Sequence, residues 1–246
     1  MIGIIGGTGF EKSNIFKNPQ VKNIETKYGK PSSPITIGTI NDKSVALLSR
    51  HGHEHTITPS HVNNRANIEA LKLLGCKNII ATTACGSLRE EMHPGNFVVL
   101  DQFIDFTKHR INTFYDEFKP GEMQHCPMSD PFSESLRNTI IKAAELCNVN
   151  LHKSGTMITI EGPRFSTRAE SFMFQKWGAD LINMSTAPET ALANEANIPY
   201  AAIAIVTDYD CWKIDEEPVS IEIVLDNFSK SVTKLTEILI KTISIL

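Results

Sequence analysis

Short apolar runs recur along the chain, separated by longer stretches in which apolar residues return every three or four positions. The short runs are "IGIIGG", "SVALLSR", "NIIATTA", "NFVVLDQFI", "GTMITIEGP", "DLINMS" and "YAAIAIVTD". Several are rich in β-branched residues and end in glycine, proline or polar clusters, which predicts buried strands. The intervening stretches predict helices. In "SHVNNRANIEALKLLG", Val62, Ala66, Ala70 and Leu73 keep helical spacing, Ser60 is the expected cap and Gly75 the left-handed stop. "TRAESFMFQKWG" opens with Thr167 and Glu170 in a capping-box pattern and closes at Gly178. Near the C-terminus, Ile221, Val224, Leu225, Phe228, Val232, Leu235 and Leu239 form one stripe, the mark of a long helix docked on a sheet. Residues 107–135 break the alternation with Pro120, Gly121, Pro127 and Pro131 and predict a long functional or interface loop. The expected fold is α/β, a sheet flanked by helices. No repeat or linker divides the 246 residues, so residues 1–246 are read as one domain.

Composition narrows the partners. A net charge of −4 argues against nucleic acid as the main partner while leaving room for a small anion in a local cationic pocket. No stretch approaches the ~20 apolar residues of a spanning helix, and the N-terminus lacks a basic leader pattern. The five cysteines form no C-x-x-C pair and fit a reduced compartment. A cytoplasmic protein with no membrane partner is the expectation.

Four segments carry candidate chemistry. "GIIGGTGF" follows a strand, but its glycines fit no G-x-G-x-x-G register, so it reads as a strand end bearing the hydroxyl of Thr8 or as a plain tight turn. "TTACGSL" has the same shape, with Thr83 and Ala84 before Gly86. "SRHGHEHTITPSH" sets His51, His53 and His55 at alternate positions; on a strand these would share a face and could hold a metal ion. Arg50 beside them favours an oxyanion instead. "VTDYDCW" puts Asp208 and Asp210 just past a strand, where mutual repulsion would let one keep its proton and act as a general acid; a solvated turn is the competing reading.

Taken together, "GIIGGTG", "RHGHEHTITPS", "TTACGSL", "EGPRFSTRAES", "INMSTAPE" and "VTDYDCW" resemble the trimeric purine nucleoside phosphorylase family, in its methylthioadenosine phosphorylase branch, over nearly the whole chain. The resemblance implies a purine nucleoside phosphorylase-like fold with a mixed central sheet. It implies attack of inorganic phosphate on methylthioadenosine to give adenine and 5-methylthioribose 1-phosphate, a step of purine and methionine salvage. Phosphate is then a co-substrate, with no cofactor and no metal. Phosphate contacts fall on Thr8, Arg50, His51, Thr83, Ala84 and Ser185, where the family more often has threonine. Met184 faces the ribose, Phe165 the base, and Asp208 and Asp210 the adenine amino group and N7, with Asp208 as the acid. Ile221 and Val224 border the 5′ pocket, completed by His125 of a neighbouring subunit in a homotrimer that could pair into a dimer of trimers. Ser166 and Ile221 bear on specificity: relatives that prefer 6-oxopurines carry Glu at the first position and Asn in place of Asp208. The alternatives are a purine nucleoside or methylthioinosine phosphorylase and, from another class, a metal-dependent hydrolase using the histidine run.

Overall fold

The structure is a computed structural model and describes residues 1–6 and 15–246. The predicted α/β architecture is present. Strands β1 (Ile2–Gly6), β4 (Lys43–Ser49), β5 (Asn78–Ser87) and β11 (Tyr200–Asp208) run parallel at the centre of a mixed sheet, with β1 between β4 and β5 and β11 against β5. On one side β3 (Ile35–Ile40) pairs antiparallel with β4, and β2 (Lys17–Lys22) pairs antiparallel with β3 at the edge. On the other side β10 (Leu181–Asn183) crosses antiparallel to the end of β5 and leads to β9 (Thr156–Ile160) and β7 (Gln102–Phe106). The predicted run "NFVVLDQFI" is two strands. β6 (Phe97–Val99) pairs with β11 and with β8 (Leu151–His152), whereas β7 joins β9.

The central strands are apolar on both faces because helices cover both. Ile5, Ile79, Ala81, Ala202 and Val206 pack into one layer with α1 (Asn64–Leu73) and α4 (Thr186–Glu195). Ile4, Ile80, Ala201, Ile203 and Ile205 pack into the opposite layer with α2 (Glu134–Leu146) and α5 (Ile221–Ile245). Period-two side chains thus feed two cores from the same strands. α3 (Arg168–Lys176) closes a smaller cluster around Phe174, Ile158 and Leu88. No helix among the described residues is long and apolar enough to cross a membrane.

Helix ends follow the local chemistry with one exception. Thr167 and Glu170 form the expected capping box of α3, and Gly75 and Gly178 take positive φ as α1 and α3 end. Ser60 does not cap α1. It sits in a short 3-10 turn, Pro59–His61, and its hydroxyl donates to Gly162 O; Asn63 caps α1 by accepting from Ala66 N at 3.1 Å. Within the predicted stripe of α5, Phe228, Leu235 and Leu239 are buried, whereas Ile221 and Leu225 stay half exposed at the end that meets the cavity.

Candidate functional site

Because the central strands are parallel, the segments that follow them emerge at one edge, where open α/β sheets place ligand sites. A cavity of about 250 Å³ opens there. Arg50 and His51 follow β4, Thr83 to Gly86 come from the end of β5, and Met184 and Ser185 follow β10. Asp208 and Asp210 sit at the end of β11, and Ile221, Val224, Leu225 and Phe228 come from α5.

One end of the cavity is cationic and rich in hydroxyls. Arg50 is buried, and its guanidinium forms a fork on the equally buried Glu189, Nε–H donating to Oε1 at 2.5 Å and Nη2–H to Oε2 at 3.0 Å. A third hydrogen goes to Thr82 O at 2.9 Å. A guanidinium has five N–H hydrogens, so these three bonds leave two for a ligand. Burial works against the charge of Arg50, but the Glu189 carboxylate outweighs it and raises its pKa. Tyr200 also donates to Glu189, at 2.9 Å. The hydroxyls of Thr83 and Ser185 lie 3.4 Å apart, and Asn183 Nδ2 reaches Thr83 Oγ1 at 3.0 Å. Ser185 occupies the N-cap position of α4 without a side-chain capping bond. Asn183 and Thr159 accept from the first amides of that helix instead. The cavity is therefore offered hydroxyls and guanidinium N–H groups.

The histidine run does not form the strand face that a metal reading requires. β4 ends at Ser49, and His51, His53 and His55 lie in turns, with His55 at positive φ. His51 and His55 stack with centroids 4.4 Å apart and both border the cavity. His53 is exposed, its Nδ1 3.4 Å from Ser49 Oγ. Among the described residues no three His, Cys, Asp or Glu side chains group as metal ligands.

The other end holds the carboxylates. A bulge between Val206 and Asp208 and positive φ at Asp210 end the extended run, so the two aspartates meet through a turn and not on one strand face. Asp210 N–H donates to Asp208 Oδ1 at 2.8 Å, and Ser166 O–H donates to the Asp210 carboxylate at 2.5 to 2.6 Å. The pKa of Asp208 is raised, first by burial and only last by the Asp210 charge, which reverses the weight that repulsion carries in the sequence argument. Thr207 Oγ1 lies 2.8 Å from Asp208 Oδ2 and 3.1 Å from the Cys85 carbonyl. It has one proton. Given to Asp208 Oδ2, that proton favours the carboxylate and tempers the rise that burial causes, which leaves the proton of the acid form for the cavity.

Between the two ends, Met184 packs against Gly162, which has φ +67 and no room for a Cβ. Phe165 and Ser166 follow on the same segment. Arg110 braces this floor from behind: Nε donates to Glu161 at 2.7 Å, Nη1 to Met184 O at 3.1 Å and Nη2 to Glu161 O. Glu161 Oε2 accepts from Lys108 N at 2.7 Å and His109 N at 3.0 Å, tying down the start of the long loop.

Of the residues singled out in the sequence, Arg50, His51, Thr83, Ala84, Phe165, Ser166, Met184, Ser185, Asp208, Asp210, Ile221 and Val224 border this cavity. Thr8 lies outside the described residues. His125 is exposed on the loop, 5.8 Å from the ring of Phe118, and does not border it. Sequence reasoning passed over Glu189, Thr207, Arg110 and Glu161. Only Glu189 left a signal, as a single carboxylate near the start of a helix of Ala, Thr, Pro and Leu, where a buried charge requires a partner.

Comparison with known proteins places the arrangement. The phosphorylase superfamily profile matches residues 1–244. The S-methyl-5'-thioadenosine phosphorylase of Ciona intestinalis is 51% identical over all of this chain and 88% of its own length, and that of Xenopus tropicalis 51% identical over 98% and 87%. Methylthioadenosine phosphorylase from Schistosoma mansoni in complex with adenine superposes with a TM-score of 0.94 at 46% identity, covering 99% of this chain and 91% of that one. A variant of the adenosine/methylthioadenosine phosphorylase of Schistosoma mansoni in complex with methylthioadenosine gives 0.93 at 46%, covering 99% and 90%. With a mixed sheet, a cavity at its carboxyl edge and full-length similarity of this degree, the chain belongs to the S-methyl-5'-thioadenosine phosphorylase family of the phosphorylase superfamily.

Proposed function

We propose that this enzyme cleaves methylthioadenosine with inorganic phosphate, releasing adenine and 5-methylthioribose 1-phosphate. The observation that carries the reading is the polarity of one cavity: an anion site around Arg50 at one end, a buried acid, Asp208, at the other, and Met184 and Phe165 between them. Cleavage of the glycosidic bond builds positive charge on the ribose and negative charge on the base. A phosphate held by Arg50, His51, Thr83, Ala84 and Ser185, together with Thr8, stabilises the first and supplies the nucleophile. Protonated Asp208 neutralises the second at N7. Asp210, oriented by Ser166, accepts from the 6-amino group. No cofactor or metal is required by these roles.

In this reading the half-exposed Ile221 and Val224 accept the methylthio group. The exposed Ile111, Phe118 and Met123 of the long loop are covered by a further copy of the chain in a homotrimer, singly or as paired trimers, which brings His125 to its neighbour's 5′ pocket. A cytoplasmic setting in purine and methionine salvage fits the product pair. A 6-oxopurine nucleoside is disfavoured, because its keto group wants a donor where Asp210 offers an acceptor. The test compares base release from methylthioadenosine and methylthioinosine, with and without phosphate, after chelator treatment. Phosphate-dependent adenine release that survives chelation and exceeds hypoxanthine release supports the reading. Preference for the inosine analogue, or loss of activity on chelation, overturns it.

A further inference from the structure

The imidazole of His51 is fixed by one bond whose direction is unambiguous. Nδ1 lies 2.9 Å from the carbonyl oxygen of Ile57. A carbonyl only accepts, so Nδ1 carries the hydrogen. In a neutral ring the opposite nitrogen, Nε2, then presents a bare lone pair. The surroundings keep the ring neutral. Burial disfavours the imidazolium most, Arg50 opposes it next, and His55 and Arg110 add to it; against the pull of the Ile57 carbonyl they bring the pKa down to about 3. His51 borders the same cavity as Arg50, Thr83 and Ser185, and its other ring edge is committed to Ile57.

We infer that His51 offers the bound anion a hydrogen-bond acceptor, not a donor, and thereby selects an oxyanion that carries its own proton. The inference rests on phosphate being the co-substrate, as proposed above. Monohydrogen phosphate has one P–OH and three unprotonated oxygens that share its two negative charges. The unprotonated oxygens match the two spare N–H hydrogens of Arg50, the hydroxyl of Ser185, and that of Thr83 once it turns from the Ala84 carbonyl it donates to at 3.0 Å. The P–OH matches Nε2. Sulfate has the same shape and charge but no proton at neutral pH, so one of its oxygens would face the Nε2 lone pair. Leaving a buried acceptor unpaired in this way weakens binding roughly ten- to a hundred-fold. Arsenate keeps an O–H and is accepted like phosphate.

The test uses the wild-type protein, with phosphate or arsenate as co-substrate and sulfate as competitor at neutral pH and constant ionic strength. The expected result is arsenate accepted within a few-fold of phosphate and a sulfate inhibition constant roughly ten-fold or more above the phosphate KM. Sulfate inhibiting at the phosphate KM overturns the inference. His51→Gln can turn an amide N–H toward sulfate, so its sulfate-to-phosphate ratio should collapse to within about three-fold; an unchanged ratio also overturns it. Nitrogen-15 spectra of labelled wild-type protein supply a readout free of mutation: a neutral ring protonated at Nδ1 is expected, and an imidazolium refutes the assignment. Phosphorolysis without oxyanion discrimination sinks the His51 role alone, whereas no phosphorolysis at all sinks the underlying reading and this role with it.

Discussion

Arg50→Lys separates charge from geometry at the anion site. The native guanidinium does three things at once: it forks onto Glu189, reaches the Thr82 carbonyl, and keeps two hydrogens for the cavity. A lysine ammonium keeps the charge but has three hydrogens from one point, and it cannot serve both Glu189 oxygens and Thr82 while also facing an anion. Because a cation still faces Glu189, the buried carboxylate is not stranded. The stability cost should be that of one or two hydrogen bonds, about 1–2 kcal/mol, a melting shift of roughly 2–8 °C for a chain of this size. The anion loses more. Each charge-assisted bond withdrawn from phosphate is worth about 1.5–3 kcal/mol, so the phosphate KM should rise about ten- to a hundred-fold. The nucleoside KM should change little, because its contacts lie toward Met184 and Asp208. Initial rates over a phosphate series, with thermal unfolding of the same sample, measure both effects. A phosphate KM within about three-fold of wild type would refute Arg50 as an anion ligand and leave it as half of a structural ion pair.

Other expectations follow from the acid and the floor of the cavity. Asp208 has a raised native pKa, so the folded state holds more protons than the unfolded chain between the unfolded value of ~3.9 and that raised value, and its contribution to stability declines as pH climbs through this window. Asp208→Asn should cut turnover on methylthioadenosine sharply and remove that decline, so denaturant midpoints of variant and wild type converge at the acid end and favour the variant above the window; a wild type that gains on the variant with rising pH contradicts the burial argument. In Thr207→Val the Asp208 carboxylate loses a donor, which should move the basic limb of the kcat/KM profile to higher pH, with Thr207→Ser restoring it; a downward shift would mean that Thr207 accepts from the acid. Gly162→Ala drives a Cβ into Met184 at a φ of +67, and should raise the nucleoside KM roughly ten-fold while sparing the phosphate KM, a split that steady-state kinetics would expose.

Much of this was legible where the cause is local. The Thr167 and Glu170 box depends on residues three apart, and the both-face apolar strands announced a sheet covered by helices on two sides. Ser60 misled because Asn63, three residues on, also caps and stands directly before the first helical turn. The histidine alternation misled because period two implies a shared face only while the chain stays extended, and β4 stops at Ser49. The two aspartates were found, but burial, which a sequence does not display, proved the main cause of the Asp208 shift. The supports of the site were hidden by distance along the chain: Glu189 meets Arg50 across 139 residues, and Arg110 meets Met184 across 74. No local pattern encodes such pairs.

The central claim is that phosphate, and not water, takes the ribose from the base at this cavity. Phosphorus-31 spectra of a single reaction, followed together with adenine release, test it directly. Phosphate should disappear one for one with adenine as a sugar 1-phosphate signal grows. Adenine appearing while inorganic phosphate stays untouched would contradict the assignment of Arg50, Thr83 and Ser185 to the nucleophile.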